Sequence, residues 1–218
     1  MPKFSSANLR KGNARLILLA IITVVILVGI ALATGLLKFN VNISKADESE
    51  SASSSDKKAP VKNETVSYVS DKYGFTLKYP ESWSVTAGTT SDPVVTFLSQ
   101  KENSEDKFKE NLFVTVTDLS SKPGLSSSEV MDMWIKENKA GAYSATFDIL
   151  SQKSTTVDSL SAEQVTYTFT ASGYDIKGMI TIVMKNNKAH LLSYSAETKS
   201  FDTFSKEVTA LINSFVIL

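Results

Sequence analysis

Hydrophobic and polar positions divide this chain into three stretches. Leu16–Leu37 contains twenty-two residues without a charged side chain. As a helix it would be about 33 Å long, against a hydrocarbon core of about 30 Å. Residues 38–66 are rich in Ser, Ala and charged side chains, a composition that cannot bury enough apolar surface to fold. The pattern therefore predicts a transmembrane helix at 16–37, a flexible linker at 38–66 and one folded domain at 67–218.

Alternating apolar and polar residues predict most strands of the domain. Phe75, Leu77 and Tyr79 alternate with polar residues up to Pro80, which cannot donate to a strand ladder. Ile176–Lys185 is apolar on both faces, which predicts a central strand. The other predicted strands are Val94–Leu98, Asn111–Asp118, Phe147–Ser154, Val165–Thr170 and Lys188–Glu197. Asn186-Asn187, before the last of them, is typical of a two-residue hairpin turn, because asparagine tolerates positive φ.

Two segments have helical periodicity. Ser126 or Ser127 offers an N-cap with Glu129 in the first turn, and an apolar stripe then continues to about Lys139. From about Phe201 to Phe215, apolar residues recur with a period near 3.6, which predicts a helix that closes over the sheet. A domain of mostly antiparallel strands with these two helices is predicted to have an α+β fold.

The charges around the apolar stretch predict its orientation. Four cations precede it, one follows it, and residues 1–38 contain no acid. The positive-inside bias then predicts a cytoplasmic basic N-terminus at 1–15, a single-pass anchor in the cell membrane and an extracytoplasmic domain. The alternative is a signal peptide cleaved after Ala33, since Ala31-Leu32-Ala33 has the small-x-small form of a cleavage site. Apolar character that continues to Leu37 favours the retained anchor, and cleavage would instead release a secreted ligand-binding domain.

Small residues lie four apart within the predicted span. Gly29 with Ala33, and Ala31 with Gly35, would each share one helix face. This spacing lets two spans pack closely and is the one sequence signal for a dimer. Ordinary small-residue content explains the spacing better.

Composition excludes several classes of function. From Ser67 onward there are 14 Lys against 18 acidic residues and no Arg, which argues against nucleic-acid binding. The chain has no cysteine, so it has no disulfide, thiol nucleophile or Cys-ligated metal.

The search for catalytic motifs finds none. His190 is the only histidine and stands in a predicted strand, where a hydrogen-bonded or surface role is expected rather than that of a base or ligand. No Gly-x-Ser-x-Gly elbow or phosphate-binding loop is present. Lys101–Glu110 mixes acids with lysines and is expected to be a solvated hairpin loop, not a cation site. We expect no cofactor or metal, and an enzyme would have to use carboxylates that spacing does not reveal.

One short phrase resembles a known family. Residues 73–83 read Tyr-Gly-Phe-Thr-Leu-Lys-Tyr-Pro-Glu-Ser-Trp and follow Asp71. They resemble the Gly-Phe-x-x-x-Tyr-Pro-x-x-Trp opening of PsbP-like domains, and the order of the later elements agrees in outline. The resemblance implies an αβα sandwich, an antiparallel sheet with helices on both faces.

The resemblance also carries an expectation about function. Photosynthetic PsbP-like proteins support the oxygen-evolving complex, but no thylakoid-type transit sequence precedes the span here. The chain is therefore expected to be a membrane-anchored, extracytoplasmic, non-enzymatic module that binds a partner protein or small ligand, or assists assembly of a membrane complex. The alternative is an exported enzyme with a carboxylate-based site. Tyr79, Trp83 and His190 are the candidate pocket or surface residues, although Tyr79 and Trp83 match the motif as architectural positions.

Overall fold

The structure, a computed structural model, describes residues 64–88 and 93–218. The predicted span and most of the predicted linker lie outside these ranges. The elements, in chain order, are β1 Thr65–Ser70, β2 Phe75–Pro80, β3 Ser84–Ala87, β4 Val95–Leu98, β5 Asn111–Asp118, α1 Ser127–Ala140, β6 Asp148–Val157, β7 Leu160–Ala171, β8 Tyr174–Lys185, β9 Lys188–Glu197, α2 Phe201–Asn213 and β10 Val216–Ile217. Strand β1 begins within the last two residues of the predicted linker.

Seven antiparallel strands form the main sheet, in the order β3-β4-β5-β9-β8-β7-β6. Strand β9 has the bounds that the sequence predicts, and Asn186 and Asn187 both have positive φ, so the predicted tight turn is confirmed. Strands β8 and β9 are central, and most of their residues are buried on both faces. Strand β5 is also buried on both faces although its sequence alternates, because a buried layer packs on each face of the main sheet.

A second sheet of three strands, ordered β1-β2-β10, packs beside the main sheet. The prediction of a single sheet is therefore incomplete. Strand β2 pairs with β1 along its whole length, from Thr65↔Pro80 to Ser70↔Phe75. Strand β10 pairs with the opposite edge of β2 at only two positions, Val216↔Thr76 and Ile217↔Phe75. The rest of that edge faces helix α2.

The two helices cover opposite faces of the main sheet, as the αβα prediction requires. Helix α1 packs Val130, Met131 and Trp134 against the apolar side chains of β7 and β8 on one face. Helix α2 and the small sheet cover the other face, where Val208 and Leu211 meet residues of β5 and β9. Two buried clusters, one on each face, therefore hold the domain together without a disulfide.

The N-terminus of α1 is fixed by a capping box, as the sequence predicts. Ser126 is the N-cap, and its hydroxyl accepts from the backbone N–H of Glu129 at 3.2 Å. The Glu129 carboxylate in turn accepts from the Ser126 N–H and from the Ser126 hydroxyl, each at 2.8 Å, and these two bonds lower the pKa of Glu129. Two backbone donors at the helix start are satisfied in this way.

Removing this cap gives a first testable prediction. Ser126→Ala should lower the free energy of unfolding by about 1 kcal/mol, because the helix loses a side-chain acceptor. Urea unfolding of the full chain, followed by tryptophan fluorescence, measures the change, and Trp134 on the same helix contributes to the signal. Ser128→Ala, an exposed position inside the helix, is the matched control and should change stability little. Equal losses in the two variants would contradict the role assigned to the cap.

Candidate functional site

A groove runs between strand β2 and helix α2 and encloses about 300 Å³. We call it the β2–α2 groove. The first residue of β1 stands at it, so the chain enters the folded domain there. Its lining residues are Thr65, Lys78, Pro80, Lys206, Glu207, Ala210, Leu211 and Ser214.

Helix α2 borders the edge of β2 that β10 leaves unpaired. Past Thr76, the next backbone groups on this edge belong to Lys78, and the hydroxyl of Ser214 meets both of them. It accepts from the Lys78 N–H at 2.8 Å and lies 3.2 Å from the Lys78 carbonyl. The same hydroxyl also lies 2.7 Å from the Leu211 carbonyl, so its single proton is shared between two acceptors. Ser214 thus occupies the place of the next ladder residue with a side chain instead of a backbone.

Trp83 fixes the acidic residue of the groove. Its indole Nε1 donates to Glu207 Oε2 at 3.0 Å, and its ring meets the edge of Phe204 with centroids 6.1 Å apart. Trp83 is buried, and Phe204 and Glu207 lie one turn apart on α2. The hydrogen bond therefore holds the Glu207 carboxylate against the wall of the groove and uses one of its oxygens.

The remaining charged groups of the groove are cationic. Lys78 and Lys206 are both exposed, and neither forms an ion pair with a residue that the structure describes. Pro80, Ala210 and Leu211 form an apolar floor. The groove therefore combines an apolar floor with two uncommitted ammonium groups, in a domain whose charge from Ser67 onward is negative.

The candidates Tyr79 and Trp83 lie at this groove without lining it. Tyr79 stands between two lining residues, but its ring turns inward onto Phe97, with centroids 5.0 Å apart, and burial raises the pKa of its hydroxyl. Trp83 acts on the groove through Glu207. The lining residues Lys206, Ala210 and Ser214 were not found from the sequence. The sequence showed only that they lie on the polar face of the predicted helix. It did not show which strand that face packs against.

His190 lies elsewhere, buried between the main sheet and the small sheet with 1% of its surface exposed. Its ring meets Phe215 at 5.9 Å, and neither ring nitrogen makes a hydrogen bond of standard geometry with a described residue. The expectation of a surface histidine is therefore wrong, since His190 is buried. Burial lowers the pKa of His190 to about 4, the charge of Lys188 adds to the effect, and the backbone of Val183 offsets only part of it. His190 is a neutral core residue at neutral pH.

Glu110 also departs from its expected environment. The 101–110 segment connects the antiparallel neighbours β4 and β5, but its last residue is buried rather than solvated, as is Phe108. Ser99 Oγ donates to Glu110 Oε2 at 3.0 Å. Burial nevertheless raises the pKa of Glu110 to about 7, and nearby Asp106 adds to the rise. Because acids and lysines are mixed along the segment, the sequence did not show that this one carboxyl faces inward.

Residues 64–88 and 93–218 contain no cluster of metal-ligating side chains. No group of three or more His, Asp or Glu side chains stands close enough there to hold a metal ion. Nor is any helix within these ranges long and apolar enough to cross a membrane, and Leu16–Leu37 lies outside them. The β2–α2 groove is a concave part of the described surface with room for a ligand.

A mostly antiparallel α+β sandwich with one helix on each main-sheet face defines the class of this protein. The chain belongs to the PsbP-like protein family, whose model matches residues 19–217. The resemblance read from residues 73–83 is therefore confirmed. A search of curated proteins finds no match.

Solved structures that share this fold include two from bacteria. Cyanobacterial PsbP (CyanoP) from Synechocystis superposes with a TM-score of 0.54 at 16% identity, covering 76% of this chain and 98% of that chain. LpqN from Mycobacterium tuberculosis, described as involved in cell envelope biogenesis, gives a TM-score of 0.54 at 13% identity, covering 71% and 90%. At these identities the similarity shows the fold alone.

Proposed function

We propose that this protein is a membrane-anchored, extracytoplasmic and non-enzymatic module that binds a partner protein through the β2–α2 groove and assists assembly of a membrane complex. The observation that carries the proposal is the groove itself, with two uncommitted lysines beside an apolar floor. Such a surface binds and orients a ligand. It holds a single carboxylate, Glu207, which is already bonded to Trp83.

Membrane attachment rests on the sequence. The uncharged stretch Leu16–Leu37, with cations before it, supports a retained anchor and an exported domain. Thr65 lines the groove, so the predicted linker would join the folded domain beside the binding surface. A flexible linker of 38–66 would span about 30 Å on average, which would keep the groove near the outer membrane face. LpqN, with its stated part in cell envelope biogenesis, supports a role of this kind.

The enzymatic alternative has less support. A carboxylate mechanism needs two acidic groups that converge on a substrate. The groove offers one, and Glu110 is buried beside Ser99 rather than exposed in the groove. No observation on the described residues favours it over a binding module.

Site-specific cross-linking in native membranes tests the proposal. A photo-reactive amino acid placed at the exposed groove residue Ala210 should cross-link one identified protein reproducibly. The matched probe at Ala140, exposed at the end of α1 on the other layer, should not. Membrane fractionation of the same cells should find the full-length chain in the membrane. Equal cross-linking from both positions, or a mature chain that begins after Ala33 and is released, would contradict the binding surface or the anchor respectively.

A further inference from the structure

We infer that the occupant of the β2–α2 groove is an extended acidic peptide segment of a partner protein, which displaces the Ser214 hydroxyl and pairs with the edge of β2 at Lys78. This inference rests on the proposed function and names the chemistry of the partner. Two features support it: the part of the β2 edge that β10 leaves unpaired, and the positive charge of the two groove lysines.

The edge of β2 beside helix α2 supplies the backbone groups for this pairing. The pairs Gly74 with Leu218 and Thr76 with Val216 place ladder groups on the side of β2 that faces α2. The next such residue is Lys78, whose N–H and C=O meet only the hydroxyl of Ser214. A hydroxyl that divides one proton between two carbonyls satisfies the Lys78 carbonyl poorly, at 3.2 Å. An incoming backbone would supply a full donor and acceptor there, which is how peptides join a sheet edge.

Charge supplies the selectivity. Lys78 and Lys206 have no acidic partner within the described part of the chain, while Glu207 is held by Trp83. Carboxylates on the incoming segment would complement the two lysines, and its small apolar residues would rest on Pro80, Ala210 and Leu211. A basic segment would meet two like charges. The groove therefore selects acidic over basic strands.

A direct binding experiment on the full-length chain tests the inference. The probe is a dye-labelled peptide of about eight residues that alternates Glu and Val, compared with the same peptide carrying Gln in place of Glu. We expect the Glu peptide to bind with an affinity that weakens as salt is raised, and the Gln peptide to bind at least about tenfold more weakly. Lys78→Glu with Lys206→Glu should weaken Glu-peptide binding by about tenfold or more. The matched control, Lys136→Glu with Lys153→Glu, makes the same charge change on the exposed surface of α1 and β6 and should leave binding unchanged.

Backbone pairing has its own readout. Amide hydrogen exchange at Lys78 should slow when the Glu peptide is bound, because a peptide carbonyl replaces the Ser214 hydroxyl. Ser214→Ala should bind the peptide at least as tightly as the wild type, since the internal competitor is gone. Unchanged exchange at Lys78, or loss of binding in Ser214→Ala, would overturn strand addition.

Three outcomes overturn the acidic partner. If the substitutions at Lys78 and Lys206 and those at the control lysines weaken binding equally, binding depends on net charge and not on the groove. Binding that appears only after Asp47, Glu48 and Glu50 of the linker are neutralised would assign the groove to the chain's own linker. Absence of binding in every variant would reject the acidic class, while reproducible cross-linking from Ala210 would still support the proposed function.

Discussion

Replacing Gly178 by alanine is expected to destabilise the domain by about 3 kcal/mol or more, because the new methyl group would overlap a packed ring. An ideal Cβ at Gly178 would lie 2.3 Å from Tyr167 Cζ and 2.6 Å from its hydroxyl oxygen. The ring has no room to move, since Trp134 and Phe147 pack against it with centroids 5.0 and 5.5 Å away. Urea unfolding of the full chain measures the loss.

A double-mutant cycle separates this clash from other effects of the substitution. Tyr167→Leu alone leaves a cavity beside Trp134 and also costs stability. If the clash is the cause, the double variant should be more stable than the sum of the two single losses predicts, by about 1 kcal/mol or more. Additive losses would show that Gly178 is required for a reason other than the Tyr167 ring.

Two buried titratable groups should give the domain opposing pH dependences. Burial raises the pKa of Glu110 from 4.5 to about 7, so the unfolded chain loses this proton first and stability falls by about 3 kcal/mol as pH rises through that window. Burial lowers the pKa of His190 from 6.5 to about 4, so the unfolded chain gains this proton first and about 3 kcal/mol of stability is lost as pH falls through that window. Between pH 4.5 and 6.5 the two slopes should nearly cancel in the wild type.

Single variants should reveal each slope. Glu110→Gln keeps an acceptor for Ser99 and removes the carboxyl, so stability should rise with pH from about 4 to 6.5. His190→Leu removes the titrating imidazole and leaves the Glu110 carboxyl, so stability should fall as pH rises from 4.5 to about 7. Urea unfolding at a series of pH values measures both slopes. The double variant is the control and should lack both, whereas identical profiles in wild type and single variants would contradict the assignment.

Local patterns were sufficient for the elements that carry strong periodicity. Strand β9 and the Asn186-Asn187 turn follow directly from alternation and turn chemistry, and Ser126 was one of the two predicted N-caps of α1. Strands β1, β3 and β10 were missed. They are short, lie at sheet edges or pair over two residues, and bury few of their side chains, so they leave little alternation to detect.

The candidate site could be predicted only in part, because its contacts join distant parts of the chain. Trp83 was recognised as an architectural position of the motif, but its bond to Glu207 crosses 124 positions. Lys78 and Ser214 are 136 positions apart, and no local pattern links a strand edge to a helix end. The exposed positions predicted for His190 and Glu110 were wrong for the same reason, since the burial of these side chains depends on which layers pack above them.

The pairing of β2 with both β1 and β10 constrains the order in which this protein can mature. During synthesis, β1 and β2 emerge early, whereas Leu211, Ser214 and β10 emerge only after the entire main sheet has been made. Such non-local contacts form late because a long loop must close first. A nascent chain therefore carries no β2–α2 groove, and its lysines cannot engage a partner until translation has passed Ser214.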